Sequence, residues 1–202
     1  CISWRNTGLL KKYNIKAKYQ SIRKGYARLS KQALYDFDGT ITSKDTTILL
    51  LIELLKLRPW LFSGLLWYLL KKIVASDSVS KQKYKNKAIG HLIKNLSVIQ
   101  LSEALQNFSK KVRGLYRPSV IKSIEQAIED DCTVLIVSAS PSFAIVRCVS
   151  DLPVLVLGTE FAMYENIFTG LLKSENCYGL EKVNRINEWA QSNKITLNVQ
   201  YA

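Results

Sequence analysis

The chain has 202 residues, 48% of them apolar, with 29 Lys or Arg against 16 Asp or Glu. Length and apolar share support one sizeable core, or one core plus a smaller helical insert, and exclude global disorder. The formal charge of +13 points to anionic partners: nucleic acid, anionic lipid or phosphorylated small molecules.

Residues 1–31 hold nine Lys or Arg and no acid. They read as a basic N-terminal arm, poorly ordered or marginally helical, rather than as a dedicated binding element. Such an arm adds electrostatic attraction to a membrane or a nucleic acid. It carries no recognisable nucleic-acid module, so specific nucleic-acid binding is not expected. The first residue is Cys1 rather than Met, which reads as a processed or incomplete chain; nothing else suggests an exported lipoprotein. Cys1, Cys132, Cys148 and Cys177 show no CxxC spacing. A reduced intracellular protein is expected rather than a disulfide scaffold.

After the apolar lead-in Ala33-Leu34 comes Tyr35-Asp36-Phe37-Asp38-Gly39-Thr40-Ile41-Thr42, read as a strand breaking into a turn. Period-two alternation puts Asp36 and Asp38 on one side if the extended geometry persists. Two carboxylates that close are costly unless a cation or a proton sits between them, which marks the place for chemistry.

Thr46-Thr47 is a helix entry, followed by the leucine-rich run Ile48–Leu57. Pro59 interrupts, and Trp60–Leu70 resumes the apolar run before Lys71-Lys72. The uninterrupted part, residues 59–70, is twelve residues, whereas a transmembrane helix needs roughly 20. A simple span is therefore rejected. Two readings remain: buried helices of a cap, which is preferred, or a helical hairpin lying in a membrane interface with Trp60, Trp67 and Tyr68 at headgroup level.

Residues 76–87 are polar and lysine-rich and read as a loop. Ile89–Val112 reads as one or two amphipathic helices. His91, the sole histidine, falls within that pattern as a structural or solvent-facing residue, so a histidine-based metal site is excluded. A helix is expected from Pro118 to about Asp130. The run Cys132–Val137 looks like a central parallel strand ending at Ser138-Ala139-Ser140. A helix over 142–150, a strand over 154–157 and an antiparallel pair around Glu165-Asn166 follow. A helix led by Gly179-Leu180-Glu181-Lys182 and a strand over 195–201 complete the chain. This alternation argues for an α/β domain with a parallel sheet and a helical insert.

The sequence resembles the haloacid dehalogenase-like (HAD) phosphohydrolases over residues 33–202. Three of that family's four motifs stand in order: Asp36-Phe37-Asp38-Gly39-Thr40, then Val134–Ser138, then Lys182. The helical insert after the first motif looks like the cap of the phosphoserine-phosphatase-like branch. The segment Cys177–Val183 and the Leu/Trp-rich insert are similar to the phosphatidylglycerophosphatase C type. The resemblance implies a Rossmann-like parallel sheet with a helical cap after the first strand: core 32–46 and 118–202, cap 47–117. It also implies Asp36 as nucleophile, taking the phosphoryl group as an aspartyl phosphate, and Asp38 as acid/base. Ser138, Ala139, Thr40 and Lys182 would bind the phosphoryl group, with Lys182 also offsetting charge on Asp36. Mg2+ would be held by the Asp36 carboxylate and the Asp38 carbonyl.

The family's fourth motif, an acidic pair after the last strand, has no counterpart up to Ala202, and the acid after Lys182 is Glu188. The expectation is a fragment that binds Mg2+ weakly and turns over slowly. Phosphoserine phosphatases usually carry Glu where Asp45 stands and Ser-Gly-Gly where Ser138-Ala139-Ser140 stands. Both departures, with the apolar cap and basic charge, favour a lipid phosphate. A small soluble phosphate, or an impaired module binding membranes or polyanions, remains the alternative. The expected location is cytoplasmic, with peripheral contact at the inner face of the membrane left open.

Overall fold

A computed structural model describes residues 31–201 of the chain; the basic arm, apart from Lys31, lies outside the described residues. Four parallel strands form the central sheet: β1 (Gln32–Tyr35), β2 (Thr133–Pro141), β3 (Leu155–Thr159) and β6 (Val199–Tyr201), in the order β3-β2-β1-β6. β2 is almost wholly buried, which explains its unbroken apolar run: a central parallel strand is covered on both faces. Its residues alternate accordingly. Val134 and Ile136 join the large core, while Leu135 and Val137 pack with Cys177, Ile186 and Trp189 on the other side.

Between β1 and β2 the chain makes α1 (Thr47–Leu57), a short turn at Pro59–Leu61, α2 (Phe62–Val74), α3 (Ser78–Ile93), α4 (Val98–Arg113) and α5 (Pro118–Glu129). Glu53 of α1 is 1% exposed and pairs with Lys56 at 2.8 Å and Lys111 of α4 at 2.6 Å. That ion pair pins α1 to α4. The rest of the chain adds α6 (Ser142–Cys148), the antiparallel pair β4 (Phe161–Tyr164) and β5 (Ile167–Leu172), and α7 (Leu180–Asn193). The β4–β5 turn falls at Glu165 and Asn166, both at positive φ, which suits the right-handed twist of a two-residue hairpin loop.

Residues 76–87 differ from the loop read in the sequence. Most of them belong to α3, whose start is capped by Asp77 accepting the Ser80 N–H at 2.7 Å. The helical period is hidden because this half of α3 turns polar residues inward, with Lys85 and Asn86 both buried. Ile89–Val112 is divided between the end of α3 and the whole of α4, which opens with a Ser97/Gln100 capping box. His91 packs against Tyr68, ring centroids 5.6 Å apart. α3 also meets β5 closely: a Cβ on Gly90 would stand 2.1 Å from the Gly170 carbonyl oxygen.

Cys132, Cys148 and Cys177 are buried free thiols, and burial pushes the Cys148 thiol up to about 12. None is poised as a nucleophile at neutral pH. Among the described residues no helix is long and apolar enough to cross a membrane.

Candidate active site

Asp36 follows the last residue of β1, and the chain then closes a tight loop over Phe37–Ile41. The loop is anchored by the buried Phe37 ring and by Phe37 O, which accepts from Thr42 N at 3.0 Å and Thr42 Oγ1 at 3.2 Å. Gly39 takes φ 80, a conformation a side chain would strain. Asp36 and Asp38 keep extended dihedrals although β1 has ended, so both face the same cavity.

That cavity has a volume of about 400 Å³ and lies at the carboxyl ends of β1 and β2. This is where open parallel α/β sheets place their ligands. It brings together Asp36, Asp38, Ser138, Ala139 and Lys182. Lys182 stands in the first turn of α7, and its Nζ donates to Asp36 Oδ2 at 2.6 Å. Arg185, one turn on, ties α7 to the rest of the fold through Ser174 Oγ and the Gly158 carbonyl. The other Asp36 oxygen, Oδ1, accepts the Phe37 N–H at 2.7 Å. Thr40 lies on the same loop but is not part of the cavity lining; the chain has already turned at Gly39.

Asp38 is held at both oxygens. Thr46 gives Oδ1 its N–H and its hydroxyl, each at 2.8 Å, and Ser140 Oγ donates to Oδ2. Ser138 Oγ accepts the Ser140 N–H at 3.2 Å and is itself buried.

The rest of the wall comes from Gln82 and Lys85 of α3 and from Asp45, just before α1. Lys85 is buried, with Nζ 3.3 Å from the Ala139 carbonyl oxygen. Gln82 Oε1 and both side-chain polar atoms of Asn86 are buried without a hydrogen-bond partner. Burial lowers the Lys85 ammonium's pKa, although Asp45, Asp38 and Asp36 act the other way. Burial would raise the Asp45 carboxyl, but hydrogen bonding from Thr47 and the charge of Lys85 outweigh it and hold it below the usual value. Tyr178 and Gly179 complete the rim. Sequence reasoning missed Lys85, Gln82, Thr46 and Ser140. Nothing in the spacing marks the first two, because the helix carrying them shows no apolar stripe there. Ser140 could have been found from Ser-Ala-Ser, where period two puts residues 138 and 140 on one side.

A cation in this loop would be held by the Asp36 carboxylate, whose oxygens now meet Lys182 and the Phe37 N–H, and by the Asp38 carbonyl. No group of three or more His, Cys, Asp or Glu able to hold a metal exists among the described residues. Two protein oxygens fit Mg2+ bound together with a substrate phosphate and water, the usual arrangement for that ion.

A family model for haloacid dehalogenase-like hydrolases matches residues 33–201. The chain belongs to that family. No curated protein matches it. Among solved structures, a protein of unknown function from Bordetella pertussis Tohama I is similar at a TM-score of 0.67 and 16% identity. The alignment covers 86% of this chain and 80% of that one. A phosphoserine phosphohydrolase-like protein from Francisella tularensis is similar at 0.53 and 16%, covering 79% and 73%. A substrate-bound phosphoserine phosphatase gives 0.54 and 15%, covering 85% and 76%. At such identities the likeness establishes a common fold. The HAD assignment accounts for the parallel sheet and for the motif loop at the end of β1.

Proposed function

We propose that this HAD-family hydrolase is a phosphomonoester phosphatase working through a phosphorylated Asp36. The observation that carries the reading is the 2.6 Å contact of Lys182 Nζ with Asp36 Oδ2 in a cavity that also holds Asp38 and Ser138. The Asp36 carboxylate, oriented by Lys182 and the Phe37 N–H, attacks phosphorus while the ester P–O bond breaks. Lys182 offsets negative charge on the phosphoryl group, and the Ser138 hydroxyl hydrogen-bonds one of its oxygens. Asp38 gives a proton to the leaving oxygen, then takes one from the water that releases inorganic phosphate and frees Asp36.

The hydrogen bonds around Asp38 support a definite site for that proton. Thr46 N–H can only donate, which keeps Oδ1 an acceptor. When Asp38 carries the proton to be transferred, Oδ2 is therefore the oxygen that holds it, beside the Ser140 hydroxyl. The Asp36 carboxylate and the Asp38 carbonyl would hold Mg2+, which when bound would neutralise charge at the phosphate. Lys85, on the wall facing Asp36, is the cation we assign to the substrate beyond the reacting phosphorus or to its far oxygens. Helices α1–α4 act as the cap carrying that wall.

Phosphate release from a generic aryl phosphate by the full chain, with and without Mg2+, tests the reading. Metal-dependent release lost in Asp36→Asn is expected. No release under any condition would favour the alternative of a non-catalytic membrane- or polyanion-binding module. Parallel assays with phosphatidylglycerophosphate and phosphoserine decide between a lipid phosphate, which the basic charge favours, and a small soluble one.

A further inference from the structure

Helix α2 is apolar on both sides, yet one side is bare. Leu65, Tyr68 and Leu69 face the core. Phe62, Leu66, Trp67, Leu70, Ile73 and Val74 recur at helical spacing on the other side and stand exposed, Ile73 at 77% and Val74 at 81%. Trp60, in the turn just before the helix, is 71% exposed. An apolar surface of this size on a single helix marks a binding surface.

We propose that the outer face of α2, with Trp60, docks on an anionic lipid bilayer, lying in the interface rather than crossing it. Thirteen residues of helix span about 20 Å, too short for the hydrocarbon core but sufficient to lie along its boundary. Exposed tryptophans next to cations are the composition that interface favours. Charge decides the occupant. From residue 54 to residue 76 the sequence holds no acid, and with Lys56 paired to Glu53 the remaining cations are Arg58, Lys71 and Lys72. Lys71 Nζ lies 4.7 Å from the centre of the Trp67 ring, so cation and aromatic reach the same surface. A second copy of the chain meeting this face about a two-fold axis would set those cations against their own equivalents. An anionic surface complements them.

Lys72, near the end of α2, bears electrostatically on both Asp45 and Lys85 of the cavity wall. Docking itself stands on the surface and not on the reaction; only the step from there to a lipid-borne substrate rests on the phosphatase reading.

Co-sedimentation of the full chain with vesicles of phosphatidylglycerol and phosphatidylcholine, against phosphatidylcholine alone, tests the proposal. Binding to the anionic vesicles is expected, with quenching of tryptophan fluorescence by brominated acyl chains. Trp60→Ser with Trp67→Ser lowers the partition coefficient about tenfold or more, and Lys71→Gln about fivefold. Hydrolysis of a soluble aryl phosphate by the tryptophan variant stays at the wild-type rate, which separates loss of docking from loss of catalysis. Three results would overturn the proposal: no binding by the wild type, binding unchanged in the tryptophan variant, or a lipid-free dimer that those same substitutions dissociate.

Discussion

Ser140 Oγ donates to Asp38 Oδ2 across 102 positions of sequence. The contact joins the end of β2 to the loop that leaves β1, so the geometry of the motif loop depends on a serine outside the motif. If Asp38 moves the proton, this hydroxyl steers it.

Ser140→Ala should therefore lower kcat about tenfold, a fraction of the roughly 10²- to 10⁴-fold that a positioned acid/base contributes, with KM nearly unchanged. The loss stays partial because Thr46 still holds Oδ1. Steady-state kinetics on an aryl phosphate check this. A variant with wild-type kcat would remove Ser140 from the proton path.

Lys85 should act on binding more than on turnover. Lys85→Met removes a buried cation from the cavity wall, and KM rises about 10- to 100-fold, as for a lost hydrogen bond to a charged group. The pH dependence has a definite sign. Burial lowers the Lys85 pKa from 10.5, so the cation is lost at a lower pH than from a solvated lysine. Substrate affinity falls as pH rises through that lowered value. Lys85→Arg, which stays charged throughout, should abolish that alkaline loss even where it weakens binding. An alkaline limb identical in Lys85→Arg would assign the titration elsewhere.

Glu53 ties stability to pH. Burial raises its carboxyl pKa, but hydrogen bonds and charge from Lys111 and Lys56 reverse the effect and hold it below the usual value. A depressed acid stabilises the fold fully above its unfolded value, about 4.3, and the contribution disappears as pH falls through the folded value. Glu53→Gln should cost about 2 kcal/mol in urea unfolding at pH 7. The gap to wild type closes as the solution is acidified below pH ~4. A gap independent of pH would show that packing, not charge, is responsible.

Much of the fold is legible in the residues. The β-branched run of β2 announces a buried parallel strand, and Asp36-Phe37-Asp38-Gly39-Thr40 announces the loop that follows β1. The Glu165-Asn166 hairpin was likewise readable from its turn residues. α3 was not, because its first half turns Lys85 and Asn86 toward the interior, and a polar inward face erases the apolar period on which helix reading depends. The same erasure concealed the wall of the cavity. Functional residues on a helix break the pattern that reveals the helix.

The proposed mechanism turns on Asp36 carrying the phosphoryl group. Acid quench of the full chain during turnover of a radiolabelled phosphomonoester with Mg2+, followed by mapping of the labelled peptide, identifies the carrier. An acid-stable, base-labile acyl phosphate is expected on the peptide containing Asp36, absent in Asp36→Asn and reduced in Lys182→Met. Label on another residue, or label that persists in Asp36→Asn, would contradict it.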